Sequence, residues 1–208
     1  MSEVDPTANR ILDVNFPDIR NYGDIRTIRE RLQKNADYIP DFDLFTGGFP
    51  CQPFSSAGLQ QGVEDKQGRG TLIYEILQIC QIKRPRYILL ENVKGFRSKK
   101  FEPTRKAIYS QLNEMGYNIK KQLLNTKNYG IPQNRERMWI FAYHGEFPEG
   151  FSMVPEGKIP EEQRPHIAQY LDPNPPADMY LSDERVKHFV EVHSGHGFKN
   201  WSVEEPLC

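Results

Sequence analysis

The chain has 208 residues, enough for one sizeable core, and its 38% hydrophobic and 26% charged content fits a water-soluble protein. A formal net charge of −1 supplies no global basic field to draw it to nucleic acid, so any such contact has to be local. No apolar run is long enough to span a membrane, the opening MSEVDPTANR lacks the apolar stretch of a secretory signal, and three scattered cysteines make no disulfide framework; a reducing cytoplasm is the expected setting.

In chain order, IRTIRERLQKN (25–35) reads as an amphipathic helix and DFDLFTGG (41–48) as a strand. GTLIYEILQICQIK (70–83) places Leu72, Ile73, Ile76, Leu77, Ile79 and Cys80 at helical spacing, which puts Cys80 in the core. RPRYILLEN (84–92) is the next strand. PTRKAIYSQLNEMG (103–116) is a helix ending on Gly116. YNIKKQLLNT (117–126) and RMWIFAY (137–143) are further strands. Beyond Phe147 the pattern weakens into proline-rich segments, with one short helix in SDERVKHFVEVH. Strand–helix–strand alternation predicts an α/β fold with a parallel sheet.

TGGFPCQPFSSAG (46–58) holds Cys51 between Pro50 and Pro53, just past a strand end. Ligands of open α/β sheets bind outside the carboxyl ends of the strands, so a stiffened loop there suits a nucleophilic thiol better than a buried one. ILLENV brings Glu91 and Asn92 to the same sheet edge one strand–helix unit later. A carboxylate at a dry strand end has its pKa raised, which lets it donate a proton near neutrality. In QNRER, Gln133, Arg135 and Arg137 alternate at the expected start of a strand, so all three can face one side. The two arginines are either a solvated strand edge or planar donor forks aimed at a base or a phosphate. Lys94, Arg97, Lys99, Lys100, Arg105 and Lys106 form the one local basic cluster, either a solvated surface or a polyanion contact. HSGHG (193–197) offers two histidines with no cysteine or carboxylate partner nearby, so no metal site is expected, and Cys51 has no neighbouring cysteine for redox work.

GGFPCQPFS, ENV and QNRER, in this order, resemble the core of the cytosine-5 DNA methyltransferase family. SEVDPTA resembles its acidic cofactor segment, YGDI the segment that grips adenine, and RGTLIYEI the helix start after the catalytic loop. The similarity runs from about Ser2 to Tyr143, and MYLSDERVKHF and SGHGF resemble the opening of the target-recognition region. The resemblance implies a Rossmann-like, S-adenosylmethionine-dependent methyltransferase sheet acting on double-stranded DNA, or in one branch on tRNA. It implies that Cys51 attacks C6 of a flipped cytosine, that Glu91 holds N3 and the exocyclic amine, that Arg137 holds the O2 edge and that Arg135 supports the same pocket. For the cofactor it implies Glu3 on the ribose, Asp24 and Ile25 about the adenine, and Pro50 and Leu72 lining the same cleft. Ser55, Ser56, Gln133 and Lys94 are the implied DNA contacts.

The family's opening strand and glycine-rich F-x-G-x-G turn are absent from the sequence, as are its closing segments and most of the recognition domain. The expectation is therefore a truncated sheet without its central first strand, which in the family lies between a strand ending near Glu3 and the strand leading to Cys51. Residues 1–146 would be a partial catalytic domain, and 147–208 a linker with the beginning of the recognition region. A fragment, a split enzyme completed by a second chain, and an inactive relic all fit this pattern.

Overall fold

The computed structural model describes residues 1–50 and 72–194. It divides into two compact units, one of Met1–Leu124 with Glu136–Pro155, the other of Asn125–Arg135 with the residues from Glu156 onward.

In the first unit, Asp5 caps helix α1 (Pro6–Asn15), accepting from the amides of Thr7 and Ala8, with Pro6 in the first turn where its missing N–H costs nothing. Helix α2 (Ile25–Lys34) is capped by Asp24 and buries Ile28 and Leu32. Strand β1 (Leu44–Gly48) precedes the segment that holds Cys51, and helix α3 (Leu72–Lys83) follows it. Then come β2 (Tyr87–Val93), α4 (Glu102–Glu114), β3 (Asn118–Asn125) and β4 (Glu136–Tyr143). In the second unit, helix α5 (Asp183–Ser194) falls where the sequence suggested a short helix.

The four strands form one sheet in the order β1-β2-β4-β3. Alternation along β2 and β4 divides its two faces. Ile88, Leu90 and Asn92 on β2, with Met138, Ile140 and Ala142 on β4, are buried against Ile73, Ile76, Leu77 and Cys80 of α3 and Ile108 and Leu112 of α4. Each of the fully buried leucines and isoleucines contributes roughly 1.5–3 kcal/mol by leaving water. Cys80 belongs to this core as expected, and burial pushes its thiol up to about 12. Tyr87, Leu89, Glu91 and Val93 on β2 take the opposite face, as do Arg137, Trp139, Phe141 and Tyr143 on β4.

Three expectations change. β1 and β2 pair in parallel, but β4 runs antiparallel to β2, so the sheet is mixed. A parallel neighbour needs a crossover, generally helical. The β3–β4 connection holds only a short 3-10 turn at Thr126–Tyr129. Second, no strand ends near Glu3: residues 1–5 are irregular and lead into α1. Third, β4 starts at Glu136, so strand alternation does not align Gln133 and Arg135 with Arg137. The amide of Gln133 instead donates to Ile131 and that of Arg135 to Gln133, in tight turns ahead of the strand.

Among the described residues β1 pairs with β2 alone, leaving its other edge open. α1 buries none of its side chains, and Ile11, Val14 and Phe16 are exposed.

Candidate active site

The β1–β2 register sets Gly48 opposite Glu91. A Cβ built on Gly48 would lie 3.4 Å from Glu91 Oε2, so the carboxylate rests over the bare backbone of β1 on the sheet face away from α3 and α4. A methyl group there would only reach ordinary van der Waals contact with the carboxylate, so Gly48 marks where Glu91 lies and a small residue would be tolerated.

One residue later the chain is tied to β2 a second time. Asn92, 1% exposed, donates from Nδ2 to the Phe49 carbonyl at 3.0 Å, while its Oδ1 accepts from the amide of Val93. The Phe49 ring is buried edge-on against Phe96 at 5.4 Å. The base of the Cys51 loop is thus held by a buried hydrogen bond and an aromatic contact, both made by residues directly on or just after the Glu91 strand. Asn92→Ala would leave the Phe49 carbonyl without its donor, at about 1–3 kcal/mol. The expected result is a lower unfolding midpoint, by roughly 2–4 °C per kcal/mol, together with reduced activity. An unchanged midpoint in calorimetry would mean that the latch carries no energy.

Across the sheet, Arg137 lies beside Val93 in the β2–β4 register, and its Nε is 2.7 Å from Glu91 Oε1. The N–H direction is off-line for a hydrogen bond, so this is an ion pair by distance; Nη1 donates to the Glu136 carbonyl at 2.9 Å. Both side chains are mostly buried, at 22% and 25% exposed. The expected dry carboxylate is therefore partly open to solvent and faces a cation. Lys94, just beyond β2, pairs with Glu136 at 2.6 Å and pins the start of β4 to the end of β2. Gln133 and Arg135 are exposed and belong to the second unit. Cys51, Ser55 and Ser56 lie outside the described residues, as do Cys208 and all of HSGHG past Ser194.

The implied cofactor residues come from two segments that Asn21 joins. Its Nδ2 donates to the Glu3 carbonyl and to Asn9 Oδ1, each at 2.9 Å, and its Oδ1 accepts from the amides of Glu3 and Gly23 at 3.1 Å. All four hydrogen-bonding positions of the amide are used, so the two segments are held in one arrangement. The Ser2 hydroxyl adds a bond to the Gly23 carbonyl at 2.7 Å, and Gly23 turns with φ +76° directly before Asp24. Glu3 Oε1 accepts from the amides of Val4 and Asp5, which orients the carboxylate. Asp24 Oδ1 caps α2, and Ile25 packs both on the sheet core and on a smaller cluster of Ile28, Leu32 and Ile79. Pro50 is exposed at the end of the described loop base, and Leu72 opens α3 half-buried. A carboxylate can accept from hydroxyls and an apolar side chain can lie against a flat ring, so these two tied segments could hold a nucleoside.

Sequence reading missed Gly48, Asn21 and the role of Asn92. Gly48 and Asn92 were visible in GGFP and ENV, but their functions come from partners more than forty residues away in the chain. Asn21 carries no signal of its own.

The mixed α/β sheet with helices packed on it is shared with solved methyltransferases. The S. pombe Dnmt2 methyltransferase superposes with a TM-score of 0.63 at 25% identity, over 92% of this chain and 57% of that one. A Spodoptera frugiperda DNMT2 structure gives 0.62 at 21%, a likeness of fold. The model of the C-5 cytosine-specific DNA methylase family matches residues 1–204, and the chain belongs to that family. It is 37% identical to the Type II methyltransferase M.NlaIV of Neisseria lactamica, over 98% of this chain and 49% of that protein. It is 39% identical to M.HaeII of Haemophilus aegyptius, over 88% and 54%. The chain spans about half the length of the curated relatives it matches.

Proposed function

We propose that the chain carries the chemical half of a DNA (cytosine-5)-methyltransferase of the kind that works beside a restriction enzyme. The observation that supports this most directly is the Glu91 carboxylate, seated over Gly48 at the root of the Cys51 loop and paired with Arg137. On this reading one extruded cytosine lies against all three groups. The Cys51 thiolate adds to C6, its electron pair forming the S–C bond and leaving C5 electron-rich. Glu91 in its protonated form accepts from the exocyclic amine on one oxygen and gives its proton to N3 from the other, while Arg137 donates to O2, so charge arising on the ring meets a donor at N3 and at O2. Ser55 and Ser56 donate to backbone phosphates, and Gln133 and Arg135 are further proposed contacts to the substrate. After a methyl group joins C5, loss of the C5 proton to a base expels the Cys51 thiolate and restores the aromatic ring.

S-adenosylmethionine supplies the electrophilic methyl group when bound. Glu3 Oε2 would take the ribose hydroxyls, Asp24 and Ile25 the adenine, and Pro50 and Leu72 the wall between cofactor and base. These residues fit because their segments are already tied through Asn21. The open edge of β1 and the uncovered apolar residues of α1 favour a further strand with a glycine-rich turn, from the same polypeptide or a second chain. Such an enzyme would work in the bacterial cytoplasm on nucleoid DNA. Residues 1–146 would then be the partial catalytic domain, and 147–208 the way into target recognition.

The test is covalent capture. Incubated with S-adenosylmethionine and a duplex containing 5-fluorocytosine, the chain, alone or with a polypeptide bearing the strand and glycine turn, is expected to form a denaturant-stable adduct. Fluorine cannot leave C5 as a proton does, so the enzyme stays attached. Absence of adduct in both arms overturns the reading.

A further inference from the structure

The six cations of the basic cluster do not have equal standing in the fold. Lys94 is held by Glu136, and Lys106 pairs with Glu102 at 2.9 Å one helical turn away. Arg105 turns inward, donating to the carbonyls of Phe96 and Ser98 and lying over the Phe96 ring. Its role is to clamp the two 3-10 turns at Lys94–Arg97 and Lys99–Phe101, whose Phe96 and Phe101 are buried in the core. Backbone bonds from Ser98 to Gly95 and from Phe101 to Ser98 close each turn. Three cations remain: Arg97 and Lys99, exposed and with no acidic partner among the described residues, and Lys100, exposed with its ammonium 5.8 Å from the Phe101 ring.

We infer that Arg97, Lys99 and Lys100 form a rigid phosphate-binding rim that holds the DNA backbone beside the Glu91 edge. This rests on the proposed function for its substrate class. The turns begin directly after β2 and are anchored by the buried Phe96 and Phe101, with Lys94 reaching Glu136 at the start of β4, so the rim follows the strand end that carries Glu91. Three cations spread over two anchored turns suit a repeating polyanion. A chain of net charge −1 has no general field to do that work, so an anchored local rim is the economical solution. Anchoring matters because long side chains on a fixed backbone lose less freedom on meeting phosphates than those on a mobile segment.

Duplex binding measured from low to moderate salt reads the rim directly. Each phosphate neutralised contributes about −0.9 to the slope of log K against log salt. The triple variant Arg97→Ala/Lys99→Ala/Lys100→Ala is expected to make the slope shallower by about 2–3, and Lys99→Ala alone by about 1. Arg97→Lys/Lys99→Arg/Lys100→Arg, which keeps the charges, should retain the wild-type slope. Circular dichroism checks that the variants fold, and the single change keeps the question answerable if the triple one does not. A wild-type chain that binds duplex with a slope untouched by these changes overturns the rim and leaves the methyltransferase reading standing. A wild-type chain with no salt-dependent duplex binding overturns the rim, and adduct formation then judges the methyltransferase reading separately.

Discussion

Cys51→Ser is expected to bring methyl transfer down to background and to remove the covalent adduct with 5-fluorocytosine DNA. The reason is acid–base chemistry. A cysteine needs only a modest shift to present a thiolate at neutral pH, whereas a serine hydroxyl stays protonated and adds to C6 far more slowly. Loss of a covalent nucleophile lowers turnover by about 10⁴-fold or more. Cys80 cannot take over, because it lies in the core with its thiol pushed up to about 12 and so remains protonated throughout the working range. Peptide mapping of the wild-type adduct should therefore find the modified base on the peptide containing Cys51. An adduct that survives Cys51→Ser, or one that maps to Cys80 or Cys208, would remove Cys51 from the chemistry.

Glu91→Gln and Arg137→Ala should each reduce turnover by about 10²–10⁴-fold, with a much smaller change in KM for DNA. In the proposed mechanism both groups act on the ring as it is attacked, so their loss would fall on the chemical step more than on duplex binding. The structure adds a sharper expectation. Because Arg137 Nε and Glu91 Oε1 are 2.7 Å apart, either single change also strips a partner from the other group. The double variant should consequently be no worse than the poorer single one, a strong departure from additivity. Full additivity of the two losses in log kcat would show that the residues act independently, against a shared pyrimidine between them.

Much of the helical content could be read from local pattern. Ile73, Ile76, Leu77 and Cys80 recur at the spacing of one helix face, and α3 buries that face. α2 and α4 follow for the same reason, as do the strand cores of β1, β2 and β4. α1 escaped because its apolar residues are few and uncovered, so the family's acidic segment masked a short capped helix. The direction of β4 escaped as well. Nothing within RMWIFAY states whether a neighbour runs with it or against it; the short connection after β3 decides, and only in three dimensions does β4 meet β2.

The site divides along the same line. The residue types proposed for the chemistry, Cys51, Glu91 and Arg137, could be picked out because a thiol in a proline-flanked turn and an acid at a strand end are local statements; the structure adds that Glu91 and Arg137 are paired, while Cys51 lies outside the described residues. How they are held could not be read this way. The seat of Glu91 over Gly48, the Asn92 bond to Phe49, the Asn21 tie between the two cofactor segments and the sorting of six basic residues into anchored and outward-facing ones all depend on partners distant in the chain. By itself, then, the amino-acid order determined which elements form and which groups are candidates for chemistry, since both follow from short-range sterics, periodicity and intrinsic reactivity. The tertiary structure alone decided strand direction, register and hydrogen-bond partners, because those are set by contacts that exist only after distant segments have been brought together.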